Sequence, residues 1–351
     1  MASRPKTMKA WQKHFGTTEP QQVELPVPEP PRDGMLVKIL AAGVCHSDVA
    51  LLNQPQRVGT FNEKYTLGHE GCGEIVELGA DVDQSRFKVG DQIAILSVAG
   101  CGKDDCPECS RDLAQICQAG EKYGIGQDGS YAPYVAIRAR AAAPLPKGVS
   151  PEVGAVATDA VMTAYHAVVG TGSVKKGETV LIIGLGGLGF NALQIALARG
   201  ARVIGADTRQ EVLEEAAKFG IPQEDLVPVG QSITDFVQTQ KLVIDTVIDF
   251  VGVPDTFKAA QHAVRWAGKI VCVGLLAPEI MIDNYLAVRK HLSILMSYGG
   301  TFTDLTACLD LIAKGVVRPQ VVTGELGDFD KVLQDLHAGK VKSRIALIPK
   351  L

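Results

Sequence analysis

Thr179-Val-Leu-Ile-Ile183, followed without a break by Gly184-Leu185-Gly186-Gly187-Leu188-Gly189, decides how this chain folds. A short continuous apolar run of β-branched residues and leucine reads as a strand buried on both faces. Glycine then takes the positions where a side chain would crowd a tight turn, and beyond it Leu193, Ile195, Ala196 and Leu197 recur at helical spacing. A glycine run alone is also what an ordinary turn contains. Between a strand and a helix it gains meaning, because the backbone can then approach a pyrophosphate and the helix N-terminus offers its N–H groups to the charge. The discriminating residue is Asp207, at the end of the next apolar stretch, Ala201-Arg-Val-Ile-Gly-Ala206, and 18 positions beyond Gly189. A carboxylate there can accept both ribose hydroxyls and repels a 2′-phosphate, so NAD(H) is expected over NADP(H). Arg209, two residues on, softens that choice, since an arginine at this edge can accommodate the phosphate.

Outward from this point the strand–helix alternation continues. A helix is expected around Gln210 to Phe219, and strands at Val243–Asp249 and Lys269–Val273. Such alternation builds a parallel, doubly wound α/β sheet. Upstream, from about Lys9 to Pro146, short strands such as Met35–Leu40 and Gly73–Leu78 are punctuated by Gly and Pro, which reads as a separate β-rich module. The texture changes after Pro144-Leu-Pro-Lys-Gly148, and the tail from Tyr298 ends in another apolar strand, Arg344–Ile348. Two domains are also what 351 residues imply. A formal net charge of −4 with 21% charged residues leaves no electrostatic footprint for nucleic acid or an anionic membrane, so the partner should be a small molecule. No apolar run approaches the ~20 residues that span a bilayer. The basic N-terminal stretch MASRPKTMKAWQKHFG has no acid before Glu19, which would suit a transit peptide, but its proline and single arginine weigh against one. A cytoplasmic protein is expected.

Four cysteines, Cys101, Cys106, Cys109 and Cys117, fall within seventeen residues. Two disulfides would account for them, but in a reducing compartment such a cluster is more often a tetrahedral thiolate cage, typically for zinc at about 2.3 Å.

A second donor set lies in the β-rich half: Cys45-His46-Ser47-Asp48, and Gly68-His69-Glu70 followed by Gly73 and Gly79. A lone Cys or His is usually core filler. Together these segments resemble the zinc-containing medium-chain alcohol dehydrogenases, whose signature is Gly-His-Glu, two residues, Gly, five residues, Gly. The resemblance runs from Met8 to the end and includes the four-cysteine lobe and the glycine turn in order. It implies a GroES-like catalytic domain, residues 1–159 and 298–351 with a zinc lobe at about 97–120, interrupted by a Rossmann NAD-binding domain at 160–297. It implies two zinc ions per subunit, the catalytic one held by Cys45, His69 and Asp159. The third ligand is more commonly cysteine; a carboxylate is acceptable and still leaves an open position. Asp159 could alternatively cap a helix beginning near Ala160.

Further roles follow from the same resemblance. Glu70 lies behind the metal, Asp48 orients His69, His46 and Arg344 contact the cofactor pyrophosphate, and Ser47 takes the hydroxyl proton. Three departures stand out: Cys101 and Cys106 are four residues apart instead of two, Ala50 replaces a relay histidine, and Ser97 stands where many relatives carry a bulky aromatic. The expected reaction is reversible oxidation of a primary or secondary alcohol to an aldehyde or ketone with NAD. A polyol dehydrogenase, a reductase of a specialised carbonyl metabolite, a zinc-free enoyl or quinone reductase and a non-catalytic NAD-binding protein are the rivals. The segment from Met281 to Ile294, followed by Leu295-Met296-Ser297, resembles the edge of the nucleotide domain through which relatives pair; its apolar, strand-forming residues at a sheet edge call for a twofold mate, predicting a homodimer or homotetramer.

Overall fold

The computed structural model describes residues 4–341 and 344–350; Met1, Ala2 and Ser3 of the N-terminal stretch read above lie outside them. Two compact units emerge, the first comprising Met1–Asp159, Thr301–Ala313 and Pro319–Leu351, the second Ala160–Gly300 and Lys314–Arg318.

The first unit is β-rich. One sheet has seven strands, in the order Val321–Glu325, Arg344–Ile348, Gly34–Val44, Glu70–Leu78, Gln92–Ile95 and Ala142–Pro144, with Tyr134–Arg138 also paired to Gly34–Val44. All pairings are antiparallel except that of the first two strands. A smaller antiparallel sheet joins Gln21–Pro26, Thr7–His14 and Lys64–Thr66. Met35, Val37, Ile39, Ile75, Ile93 and Ile137 fill the core between them, all essentially inaccessible to solvent. Register builds the site: Gly43 faces Glu70 across one ladder and Val44 faces Ile345 across another. Cys45, Glu70 and Arg344 are therefore delivered to one place although 299 residues separate the first from the last.

The second unit is a five-stranded parallel sheet in the order Arg202–Ala206, Thr179–Ile183, Ile244–Asp249, Val264–Cys272 and Ser293–Met296. The apolar run Thr179–Ile183 lies next to the middle of the sheet, paired on both sides, which is why nearly all of it is apolar. The helix Gly189–Ala198 follows the glycine turn, with Leu193, Ile195 and Ala196 buried. A strand beyond Arg202–Ala206 is reduced to a single bridge between Gly205 and Leu226. The stretch read as strand-forming from Met281 to Ile294 is corrected: Asn284–Lys290 is a helix, and only Ser293–Met296 pairs at the sheet edge. Asp283 caps this helix by accepting from the Leu286 N–H at 2.9 Å, and polar Asn284, Arg289 and Lys290 interrupt the apolar pattern.

One helical run, Pro151–Thr171, is long and apolar enough to cross a membrane by length and composition, a feature the apolar-run count above did not register. Two thirds of its apolar window is buried within the protein, and Asp159 stands in the middle of it.

Candidate active site and metal centres

Cys45 ends the approach from Gly34–Val44, and the chain turns at once into the helix His46–Asn53. Asp48 in the first turn accepts from the Cys45 N–H at 3.0 Å, which fixes how the thiol-bearing residue enters the helix. The other Asp48 oxygen faces His69 Nδ1 at 3.4 Å, leaving Nε2 for the side where Cys45 and Asp159 lie. Asp159 sits in a π-helical turn, Ala157–Val161. The alternative in which it caps a helix is excluded, because that helix begins at Pro151 with Ser150 as its cap. π-turns are rare and concentrate at functional sites.

One donor atom from each of Cys45, His69, Glu70 and Asp159 lies within 4.8 Å of all the others. Cys45 Sγ and Asp159 Oδ2 are 3.5 Å apart. A tetrahedral ion with its sulfur at about 2.3 Å and its oxygen at about 2.1 Å would separate the two by about 3.6 Å. The donors are thus spaced for a metal. Arg344, assigned above to a pyrophosphate, is engaged within this unit: its guanidinium donates to Glu70 and, at 3.1 Å, to Asp159. Despite burial, which raises it, the Cys45 thiol is held below its ordinary value by the Arg344 charge and by its contact with His69. Burial lowers His69, but the Asp48 carboxylate wins and holds the imidazole well above its ordinary value. Burial keeps Glu70 well above the usual carboxylate range, with Arg344 opposing. Among the described residues Glu70 Oε2 is buried without a hydrogen-bond partner, and Asp48 Oδ1 and His69 Nδ1, also buried, have no partner nearer than each other, at 3.4 Å. Ser47 is exposed beside it, its Oγ 3.5 Å from the Cys45 sulfur, and His46 is exposed at the helix start.

The four-cysteine lobe has the same character. All eight cysteines are free thiols. Cys101 and Cys109 sulfurs are 3.8 Å apart, those of Cys106 and Cys117 3.7 Å. Four thiolates around one ion at about 2.3 Å stand about 3.8 Å from one another, nearly twice a disulfide bond. Despite the four-residue spacing between Cys101 and Cys106, all four sulfurs lie within 4.8 Å of one another. Arg140 steadies the lobe by donating to Gly100 O at 2.8 Å and pairing with Glu121. Burial pushes the Cys117 thiol up, yet N–H groups of Ala119 and Cys101 hold it at about 7, favouring the thiolate that a metal needs.

In the second unit Gly184 adopts φ +86° and Gly189 packs so closely on the Gly184 carbonyl that a Cβ would overlap it. A Cβ on Gly186 would meet nothing within 4 Å, so that face of the turn is open to a ligand; Gly187 and Leu188 complete the turn into the helix. Asp207 closes the site. One of its oxygens accepts from Leu185 N–H at 2.9 Å, tying the carboxylate to the turn. Arg209 grips both oxygens, Nε at 2.9 Å and a terminal nitrogen at 3.1 Å. Sequence reading placed the two residues near each other but missed that they are paired.

Comparison with known proteins agrees with this geometry. The family described as "Alcohol dehydrogenase GroES-like domain" matches residues 31–147, and that described as "Zinc-binding dehydrogenase" matches residues 187–314. An alcohol dehydrogenase from Geobacillus stearothermophilus is 33% identical over 89% of this chain and 91% of its own length. The chain belongs to the zinc-binding alcohol dehydrogenases. This dehydrogenase is also similar to an NAD-dependent alcohol dehydrogenase from Sulfurisphaera tokodaii, 30% identical over 93% of this chain and 95% of that one. Among solved structures it resembles acetophenone reductase from Geotrichum candidum in complex with NAD, at a TM-score of 0.88 and 31% identity, covering 99% of this chain and 98% of that one. It is an α/β oxidoreductase that joins a GroES-like domain to a nucleotide-binding domain.

Proposed function

We propose that this dehydrogenase catalyses reversible hydride transfer between an alcohol and NAD, yielding an aldehyde or ketone, with two zinc ions per chain. The observation that carries the reading is the three-donor set Cys45, His69 and Asp159, two of them anionic when deprotonated, with Ser47 beside it. Zinc held there would supply Lewis acidity and lower the pKa of an alcohol, as it lowers that of water to about 7. Ser47 is placed to take the hydroxyl proton, Asp48 keeps His69 in one tautomer, and Glu70 stands within reach of the same ion. Arg344 balances the carboxylates from behind. Cys101, Cys106, Cys109 and Cys117 hold the second zinc, whose contribution is structural. The glycine turn seats the pyrophosphate, and Asp207 accepts from the ribose once Arg209 yields.

A small Ser97, buried in the β-rich unit, and the likeness to acetophenone reductase both favour a secondary or aryl substrate over a polyol. The apolar residues Leu275, Met281, Tyr285, Val288 and Met296 are exposed, Tyr285 and Val288 on the helix Asn284–Lys290 that leads into the edge strand Ser293–Met296 and Met296 at the end of that strand, and an uncovered apolar edge is an aggregation hazard that a twofold mate removes. A homodimer, alone or within a tetramer, follows, and free thiols throughout suit the cytoplasm. The test is nicotinamide absorbance with a panel of primary, secondary, aryl and polyol substrates and their carbonyl counterparts, using both NAD(H) and NADP(H). Turnover of secondary or aryl alcohols with NAD is expected; no turnover with any alcohol or carbonyl would contradict the assignment.

A further inference from the structure

Tyr131 is fully buried and lies outside every motif that carries the metal ligands. Its hydroxyl is 2.7 Å from Asp48 Oδ2 and 2.8 Å from the Gly43 carbonyl. Both neighbours are acceptors, so its single proton serves the two. Gly43 is two residues before Cys45, and Asp48 faces His69, so one phenol touches the supports of two ligands at once. Its ring does the same for the turn before His69. Gly68 has φ +96°, and a Cβ there would come within 2.6 Å of Tyr131 Cδ1, so the ring lies directly on the ligand-bearing backbone. The ring is held in turn by Phe329, centroid to centroid 4.4 Å, and the backbone by ladder-like bonds from Tyr131 N–H to Leu67 O and from Trp11 N–H to Tyr131 O.

We propose that Tyr131 is a positioning residue for the metal centre, its hydroxyl fixing Asp48 and thereby the orientation of His69, and clamping the Gly43–Cys45 segment against the Gly68–His69 turn. The inference rests on the zinc reading of Cys45, His69 and Asp159. Burial and the neighbouring Asp48 charge keep the phenol protonated well beyond its ordinary range, so it remains a donor at every working pH. Asp48 Oδ2 accepts from two sides, the Cys45 N–H and Tyr131; removing one donor frees the carboxylate to turn away from His69.

Tyr131→Phe keeps the ring and its packing and deletes only the hydroxyl. Zinc release from the intact holoenzyme to a chromophoric chelator should quicken about ten-fold at one ion, the size expected when an outer partner of a ligand is removed, while release from the tetrathiolate stays as in the wild type. The cobalt-substituted protein should show altered visible bands at the mixed-ligand site only. Unchanged release, or equal acceleration of both ions, would overturn the proposal. A wild-type protein that holds no metal at Cys45 overturns the site assignment itself, and the tyrosine's role falls with it.

Discussion

Asp159 shows how little of a ligand's identity a sequence carries. A π-helical turn has no pattern of its own, and an aspartate before a helical stretch reads equally as a cap. Only the match to a family motif pointed to it; the fold then removed the alternative by starting the helix at Pro151. Asp159→Cys keeps two anionic donors beside the neutral His69 and only exchanges a carboxylate oxygen for a softer thiolate, so it should keep its zinc while turnover shifts with the altered Lewis acidity. Metal analysis checks this, and loss of the ion would argue against ligation. Asp207 was legible, its partner was not. Asp207→Ala removes a charged acceptor worth about 1.5–3 kcal/mol per hydrogen bond, so NAD(H) binding should weaken about ten-fold or more. The same change frees Arg209 to face a 2′-phosphate, so NADP(H) binding should hold or improve. Titration with both nucleotides decides, and equal losses for the two would refute the reading.

At the scale of elements, the strand Thr179–Ile183, the helix Gln210–Lys218 and the strand Arg344–Ile348 were readable because local composition and burial agree there. Asn284–Lys290 was not, although Asp283 offered a cap and Arg289 and Lys290 suit a last turn. Lys290 also has a task no local pattern discloses. Its buried ammonium donates to the carbonyls of Gln261 and His262, both at 3.0 Å, and to that of Val264, closing the C-terminal end of the helix Pro254–Ala263. Lys290→Met would leave those carbonyls without their donor in a buried place. A loss of about 2 kcal/mol is expected from denaturant unfolding; an unchanged midpoint would mean that water serves them equally well.

For the molecule as a whole, order along the chain disclosed the interrupted architecture, whereas the meeting of Cys45 with Arg344 depends on strand pairing between segments far apart in sequence, which composition cannot reveal. The exposed apolar edge leads to a dimer by light scattering at micromolar concentration, and Val288→Asp, on the exposed helix beside it, should shift the protein toward monomer. A wild-type monomer would contradict this. The central claim, that an open zinc site built on Asp159 carries the chemistry, is tested most directly by measuring zinc per chain together with turnover for the wild type and Asp159→Asn. A neutral amide oxygen is a poor zinc ligand and no longer balances the ion's charge. The account predicts two zinc ions in the wild type, one in Asp159→Asn, and turnover lower by orders of magnitude in the variant; an Asp159→Asn protein with full zinc and normal turnover would contradict it.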